Sequence, residues 1–101
     1  MNIKEIIKTY LGQLQVLQAT VANTWCGKRR FQMHIIIGMD CVNVLIFELD
    51  ELNREIDSVQ CFLGDGWSKE DCDSKVIALH AWFGEKCMTS VTGVDCQINP
   101  N

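Results

Sequence analysis

Six cysteines and two histidines are the side chains of this sequence best suited to chemistry. Thiolates and imidazoles bind borderline metal ions, and thiols can also form disulfides. Because Cys61 and Cys72 lie at similar distances on either side of Gly66, an antiparallel pair of helices would place them opposite each other. These residues give only weak support for a metal site, because the candidate ligands lack the short Cys-Cys spacing of structural zinc sites. The candidate ligands are Cys61, Cys72, His80 and Cys87.

We therefore expect no metal and no other cofactor, and we interpret most of the cysteines as reduced thiols that pack like small apolar residues. We also expect no catalytic residues. His34 and Cys41 would share a helix face, but two helical turns separate them by about 10 Å, which is too far for direct contact. The acidic residues between Glu48 and Asp57 lack the Glu-x-x-His pairs of a di-iron bundle. These observations predict a protein that is not an enzyme.

The elements that would position these side chains are predicted from the spacing of apolar residues. Helices are predicted at about 3–25 and 69–88, and a second helix between them, which starts near residue 30 or 40 and ends at 63, with a tail over 89–101. The fold class expected is all-α in one domain, 1–101. It is a long antiparallel helical hairpin with a third helix, in a three-helix, coiled-coil-like bundle. The second helix follows from a stripe at steps of three and four, formed by Ile35, Val42, Leu45, Leu49, Leu52, Ile56, Val59 and Leu63.

An α+β fold with a small β-hairpin at 31–48 is the alternative. The isoleucine-rich run before Gly38 suits a strand, and Gly38 to Asp40 suits a turn. A strand at 42–48 would, however, place Glu48 on the same face as Val44 and Ile46. The helical interpretation is preferred because one helical phase accounts for most apolar residues from Phe31 to Leu63, and because it avoids burying that carboxylate.

Composition narrows the partners and the compartment. Nine basic residues against thirteen acidic ones give a net charge of −4, which disfavours nucleic-acid binding because duplex affinity depends on phosphate neutralisation. No export signal, lipidation motif or apolar span is recognisable. We therefore expect a cytoplasmic protein with no membrane partner.

The function predicted is protein binding without catalysis. Apolar residues exceed what one small core needs, so we expect a homodimer that also binds another protein as a regulator, adaptor or inhibitor. One alternative is a phage or mobile-element inhibitor of a host defence system, similar to an anti-CRISPR protein. Another is a metal- or redox-responsive switch built on the four Cys and His candidates. The predicted interface residues are Ile36, Ile37, Val44, Phe47, Trp67 and Trp82.

Overall fold

The computed structural model describes residues 1–89 and 96–98 and shows an α+β fold, so the predicted all-α, coiled-coil-like bundle is wrong. Two helices pack on one face of an antiparallel sheet of five strands, whose order is β4-β3-β2-β1-β5. The elements are α1 (Ile3–Ala22), β1 (Thr24–Cys26), β2 (Arg29–Ile37), β3 (Cys41–Leu49), β4 (Glu55–Gly64), α2 (Lys69–Thr89) and β5 (Cys96–Ile98).

The first and third predicted helices are present, and local capping explains where they begin. The Asn2 side chain accepts a hydrogen bond from the Glu5 backbone N–H at 2.9 Å, and the Glu5 carboxylate accepts one from the Asn2 N–H at 3.2 Å. This reciprocal pair is a capping box. Ser68 Oγ accepts from the Asp71 N–H at 3.1 Å at the start of α2. Helix α1 ends earlier than predicted, because residues 24–26 join the sheet as β1.

The predicted second helix is wrong, since residues 40–63 form β3 and β4 with a loop between them. The alternative hairpin at 31–48 is confirmed as the β2–β3 pair, in which Met33 is opposite Ile46 and Ile35 is opposite Val44. Apolar residues in β3 therefore alternate with period two rather than following a heptad.

The loop between β3 and β4 contains the Asp50–Arg54 ion pair, with Arg54 Nε 2.9 Å from Asp50 Oδ2. The spacing i, i+4 is also that of ion pairs on a helix surface. Here Asp50 Oδ1 accepts hydrogen bonds from the backbone N–H groups of Leu52 and Arg54 and so closes a turn. The hydrogen bonds from the backbone and side chain of Arg54, together with the one from the Leu52 backbone, lower the pKa of the Asp50 carboxyl.

The core lies between the helices and the covered face of the sheet. The Phe31 and Phe83 rings meet edge to face at 5.2 Å and join β2 to α2. The Tyr10 hydroxyl donates to Asp73 Oδ1 at 2.5 Å and so links α1 to α2. The buried apolar residues are Ile6, Tyr10, Leu14, Leu17, Val21, Cys26, Phe31, Met33, Val42, Val44, Ile46, Cys61, Leu63, Cys72, Val76, Leu79 and Phe83.

Of the predicted tail, residues 96–98 form β5 and pair with β1. Thr89 is the last residue of α2. The other residues of the predicted tail lie outside the described residues.

Candidate interaction surface

The face of the sheet opposite the two helices is the most distinctive surface of the described chain. We call it the open face, and define it by nine alternate positions of β2, β3 and β4 with Trp25 at its margin. The strand register arranges these positions in three rows across the sheet. The rows are Gln32–Phe47–Ser58, His34–Leu45–Gln60 and Ile36–Asn43–Phe62.

None of these nine positions carries Asp, Glu, Lys or Arg. Three apolar side chains are well exposed on or beside the face: Ile36 at 51%, Phe62 at 42% and Trp25 at 39%. Exposed aromatic and aliphatic side chains away from charged residues are typical of the centre of a protein interface, and this description fits Ile36 and Phe62, whereas Trp25 is opposite Arg30. The open face therefore has the composition of an interface centre in a chain whose net charge is −4.

Contacts between neighbouring side chains hold four residues of the open face in place. The His34 and Phe47 rings meet edge to face at 5.5 Å, and Gln60 Nε2 donates to Asn43 Oδ1 at 2.8 Å. The two amides bond each other across β3 and β4, which lowers the cost of desolvating them. These contacts restrict the rotamers of four side chains of the open face, so ordering them further would cost little conformational entropy.

Trp67 lies at the edge of the sheet beside the open face. Its ring meets that of Phe62 at 5.8 Å, and Lys75 Nζ lies 5.9 Å from its ring centroid. Gly64 permits this contact, because a Cβ at position 64 would lie 2.8 Å from Phe62 Cε1 and from Trp67 Nε1. A cleft of about 530 Å³ lies next to Trp67 and is lined by Ser68, Ser74 and Lys75 among others.

A group of charged residues lies at the other end of α2, on the helix side of the sheet. Glu48 is 2% exposed and accepts from Arg29 Nη1 at 2.7 Å and from Lys86 Nζ at 3.0 Å. Lys86 also donates to Asp57 at 2.5 Å and lies 5.4 Å from the Trp82 ring. The hydrogen bond from Lys86 lowers the pKa of the Asp57 carboxyl. Two cations thus balance two carboxylates, so this group stabilises the fold.

The six predicted interface residues do not form one patch. Ile36 and Phe47 lie on the open face, whereas Val44 is fully buried beneath the helices and is inaccessible to a partner. Ile37 is half-exposed at the tip of the β2–β3 hairpin, with its side chain toward the helix side. Trp67 and Trp82 lie near opposite ends of α2. Leu45, Phe62 and Trp25 were missed, although alternation within β3 and β4 was the signal that could have indicated the first two.

The four Cys and His candidates are not assembled into a ligand set. Cys61 and Cys72 are buried neighbours between β4 and α2, while His80 is exposed on α2. Among the residues that the structure describes, no group of three or more His, Cys, Asp or Glu side chains could hold a metal ion. Burial raises the pKa of the Cys61 thiol to about 11 and also raises the pKa of Cys72 and of Cys87. Thiols of raised pKa are poor nucleophiles near neutral pH.

The expectation that most of the cysteines are reduced thiols agrees with four of them, and Cys26 is an exception. Cys41, Cys61, Cys72 and Cys87 are thiols. Cys26, in β1, takes part in a disulfide bond. The register places Cys96 of β5 opposite Cys26.

Comparisons with protein-family models, with curated proteins and with solved structures find no match to this chain. Within residues 1–89 and 96–98, no helix combines the length and the apolar character needed to cross a membrane.

Proposed function

We propose that this chain is a non-catalytic protein-interaction module that pairs with a second copy of itself through the open face. The observation that carries this proposal is that all nine positions of the open face lack a formal charge, although the chain has thirteen acidic and nine basic residues. The helices lie on the opposite side of the sheet, so they leave this face to a partner.

The neutrality of the open face allows a second copy of the same net charge to be that partner. Two chains of net charge −4 repel each other at long range, and a like-charged contact would add several kcal/mol of cost. Pairing through the nine positions brings no carboxylates together, because they carry only apolar, amide, hydroxyl and imidazole side chains; Arg30 and Glu55 stand in the row that adjoins them. A two-fold axis through the face would pack the two sheets as the layers of a β-sandwich.

The size of the face predicts a weak dimer. The nine positions span five residues of each strand, about 17 Å, and three strands span about 15 Å, so the face covers roughly 250 Å² on each copy. The total, roughly 500 Å², is smaller than a stable specific interface, so residues beside the face must contribute to the contact. We therefore expect a weak dimer with a dissociation constant of about 100 μM or higher, which suits a regulator, adaptor or inhibitor that exchanges its own copy for another protein.

Light-scattering mass after size exclusion, measured over a range of protein concentrations, tests the proposal. The wild-type chain should approach twice its monomer mass at high concentration, and Phe47→Glu should remain monomeric. Ile36→Glu provides a second disruptive variant at a more exposed position, with less risk to folding. Val16→Glu is the matched control, because Val16 is 69% exposed on α1, on the helix side of the sheet.

Circular dichroism of every variant establishes that it is folded before its mass is interpreted. If folded Phe47→Glu and Ile36→Glu dimerise as the wild type does, the open face is not the interface. A wild-type chain that stays monomeric at millimolar concentration would contradict self-pairing altogether.

A further inference from the structure

The outer edge of β2 is largely left without a partner strand. β1 has only three residues and pairs with β2 at Arg29 and Arg30, whereas β2 continues to Ile37. β3 covers the other edge of β2 along its whole length. The second half of β2 is therefore a sheet edge on the side that faces α1.

The hairpin geometry shows which backbone groups point outward from this edge. The Gly38 N–H donates to the Cys41 carbonyl at 2.8 Å, which makes that pair hydrogen-bonded within the hairpin. Because hydrogen-bonded and non-hydrogen-bonded pairs alternate in antiparallel strands, Met33, Ile35 and Ile37 direct their N–H and C=O groups away from β3. Gln18 Nε2 donates to the Met33 carbonyl at 3.0 Å, which agrees with this assignment.

Among the described residues, the remaining outward groups of this segment have no hydrogen-bond partner. These are the N–H of Met33 and both backbone groups of Ile35 and Ile37. They recur at every second residue, which is the pattern that an added strand requires. The Gln18 side-chain amide donates to the Met33 carbonyl, as the backbone N–H of an added strand would. A hydrogen-bond donor can therefore reach this edge.

A groove of about 390 Å³ runs beside the same edge. Gln18 and Ala22 of α1 form one wall, and Phe31 and Met33 of β2 form the other. Arg30 also lines the groove and is its one charged residue. An edge strand beside a helix is a common geometry for binding an extended peptide, because the strand supplies backbone hydrogen bonds and the helix supplies a side-chain pocket.

Arg30 indicates the charge of the peptide. Its Nη2 donates to the Asn53 side chain, and its Nε is buried without a hydrogen-bond partner among the described residues. Its guanidinium thus has donors left for an acceptor. Arg29, by contrast, is engaged by Glu48. A carboxylate is the acceptor that pairs best with a guanidinium.

We propose that the β2 edge binds an extended segment of a partner protein by strand addition, with a carboxylate of that segment placed at Arg30. The bound segment pairs with Met33, Ile35 and Ile37 and inserts a side chain between α1 and β2. This inference does not depend on self-pairing through the open face, with which the groove shares one lining residue, Gln32.

A phage-displayed library of linear peptides, selected against the folded full chain, provides the probe. Selected peptides should be enriched in Asp and Glu. Amide hydrogen exchange followed by NMR should show new protection of the Met33, Ile35 and Ile37 N–H groups on binding. Arg30→Met should remove the enrichment in acidic residues.

Two proline variants separate strand addition from other modes of binding. Ile35→Pro removes an outward N–H that pairs with no described residue, but it also removes a side chain that packs against the core, so circular dichroism first establishes that the variant is folded. Peptide binding by the folded variant should weaken at least about tenfold. Gln60→Pro is the matched control, since the same alternation directs the Gln60 N–H outward at the opposite edge of the sheet, on β4. Because Gln60 belongs to the open face, both variants are compared at protein concentrations at which the wild type is monomeric. Gln60→Pro should change binding less than about twofold.

Three results would overturn the inference. The selection could give no binder, or binders that leave the three amides unprotected, or equal losses for the two proline variants. Protection of these amides that rises with protein concentration, without any peptide, would instead assign the edge to a second copy. Folded Phe47→Glu should still bind the selected peptides, which keeps a failure of this inference separate from a failure of the dimer.

Discussion

Lys86 Nζ, near the end of α2, lies 3.0 Å from Oε1 of Glu48 on a central strand of the sheet. Arg29 occupies the other carboxylate oxygen, with Nη1 2.7 Å from Oε2. A lone buried carboxylate would cost several kcal/mol, and these two cations offset that cost. The contact therefore explains how a charged residue occupies a covered position of β3.

Replacing Lys86 should destabilise the fold more than replacing an exposed lysine. Lys86→Met leaves the buried Glu48 with Arg29 alone, and we expect a loss on the order of 3 kcal/mol in the free energy of unfolding. Lys69→Met is the matched control, because Lys69 forms an exposed pair with Asp73 at 2.8 Å. That variant should lose less than about 0.5 kcal/mol. Urea denaturation of both variants provides the measurement, and equal losses would contradict a structural role for the Glu48 group.

The one tyrosine of the chain should resist ionisation while the protein is folded. Burial raises the pKa of Tyr10, and its hydrogen bond to Asp73 raises it further. The folded pKa lies above the unfolded value, so the stabilisation is complete below about pH 10 and is lost as the pH rises beyond it. Phenolate absorbance should thus appear only as the protein unfolds, whereas in denaturant it should appear near pH 10. Ionisation near pH 10 with unchanged circular dichroism would show that Tyr10 is accessible.

Two glycine substitutions should have opposite effects on stability. Gly64→Ala places a methyl group 2.8 Å from ring atoms of Phe62 and Trp67, so we expect a loss of about 1–3 kcal/mol and a change in tryptophan fluorescence. Gly84→Ala, inside α2, meets no atom within 4 Å and should gain about 0.5–1 kcal/mol from helix propensity. Denaturation curves followed by fluorescence compare the two. A stabilised Gly64→Ala would mean that Trp67 does not pack over residue 64.

Cysteine alkylation should distinguish the buried thiols from Cys41. Cys61 and Cys72 are buried and have a raised pKa, so both access and thiolate content are low, whereas Cys41 is only half-buried. Iodoacetamide at mildly alkaline pH should label Cys41 first, and peptide mapping by mass spectrometry should find Cys61 and Cys72 unlabelled until denaturant is added. Labelling of Cys72 as fast as Cys41 in the folded protein would revive a redox role for that residue.

The helices could be predicted because their signals are local. Asn2 and Glu5, three residues apart, start α1, and Ser68 and Asp71 do the same for α2. The open face could not be predicted, because the apolar residues of β3 and β4 fit a heptad as well as an alternation. Val44 illustrates the consequence: predicted as an interface residue, it lies in the core, while its neighbour Leu45 lies on the open face.

The sequence by itself determined the two helices and their caps, since these depend on residues within a few positions of one another. It also determined the acidic charge balance, which follows from composition alone. Only the tertiary structure decided that residues 40–63 are strands. The argument against a strand was the carboxylate of Glu48, and the residues that neutralise it, Arg29 and Lys86, lie far away in the chain. Burial of a charge is costly in isolation but acceptable in a pair, and only the folded structure brings the partners together.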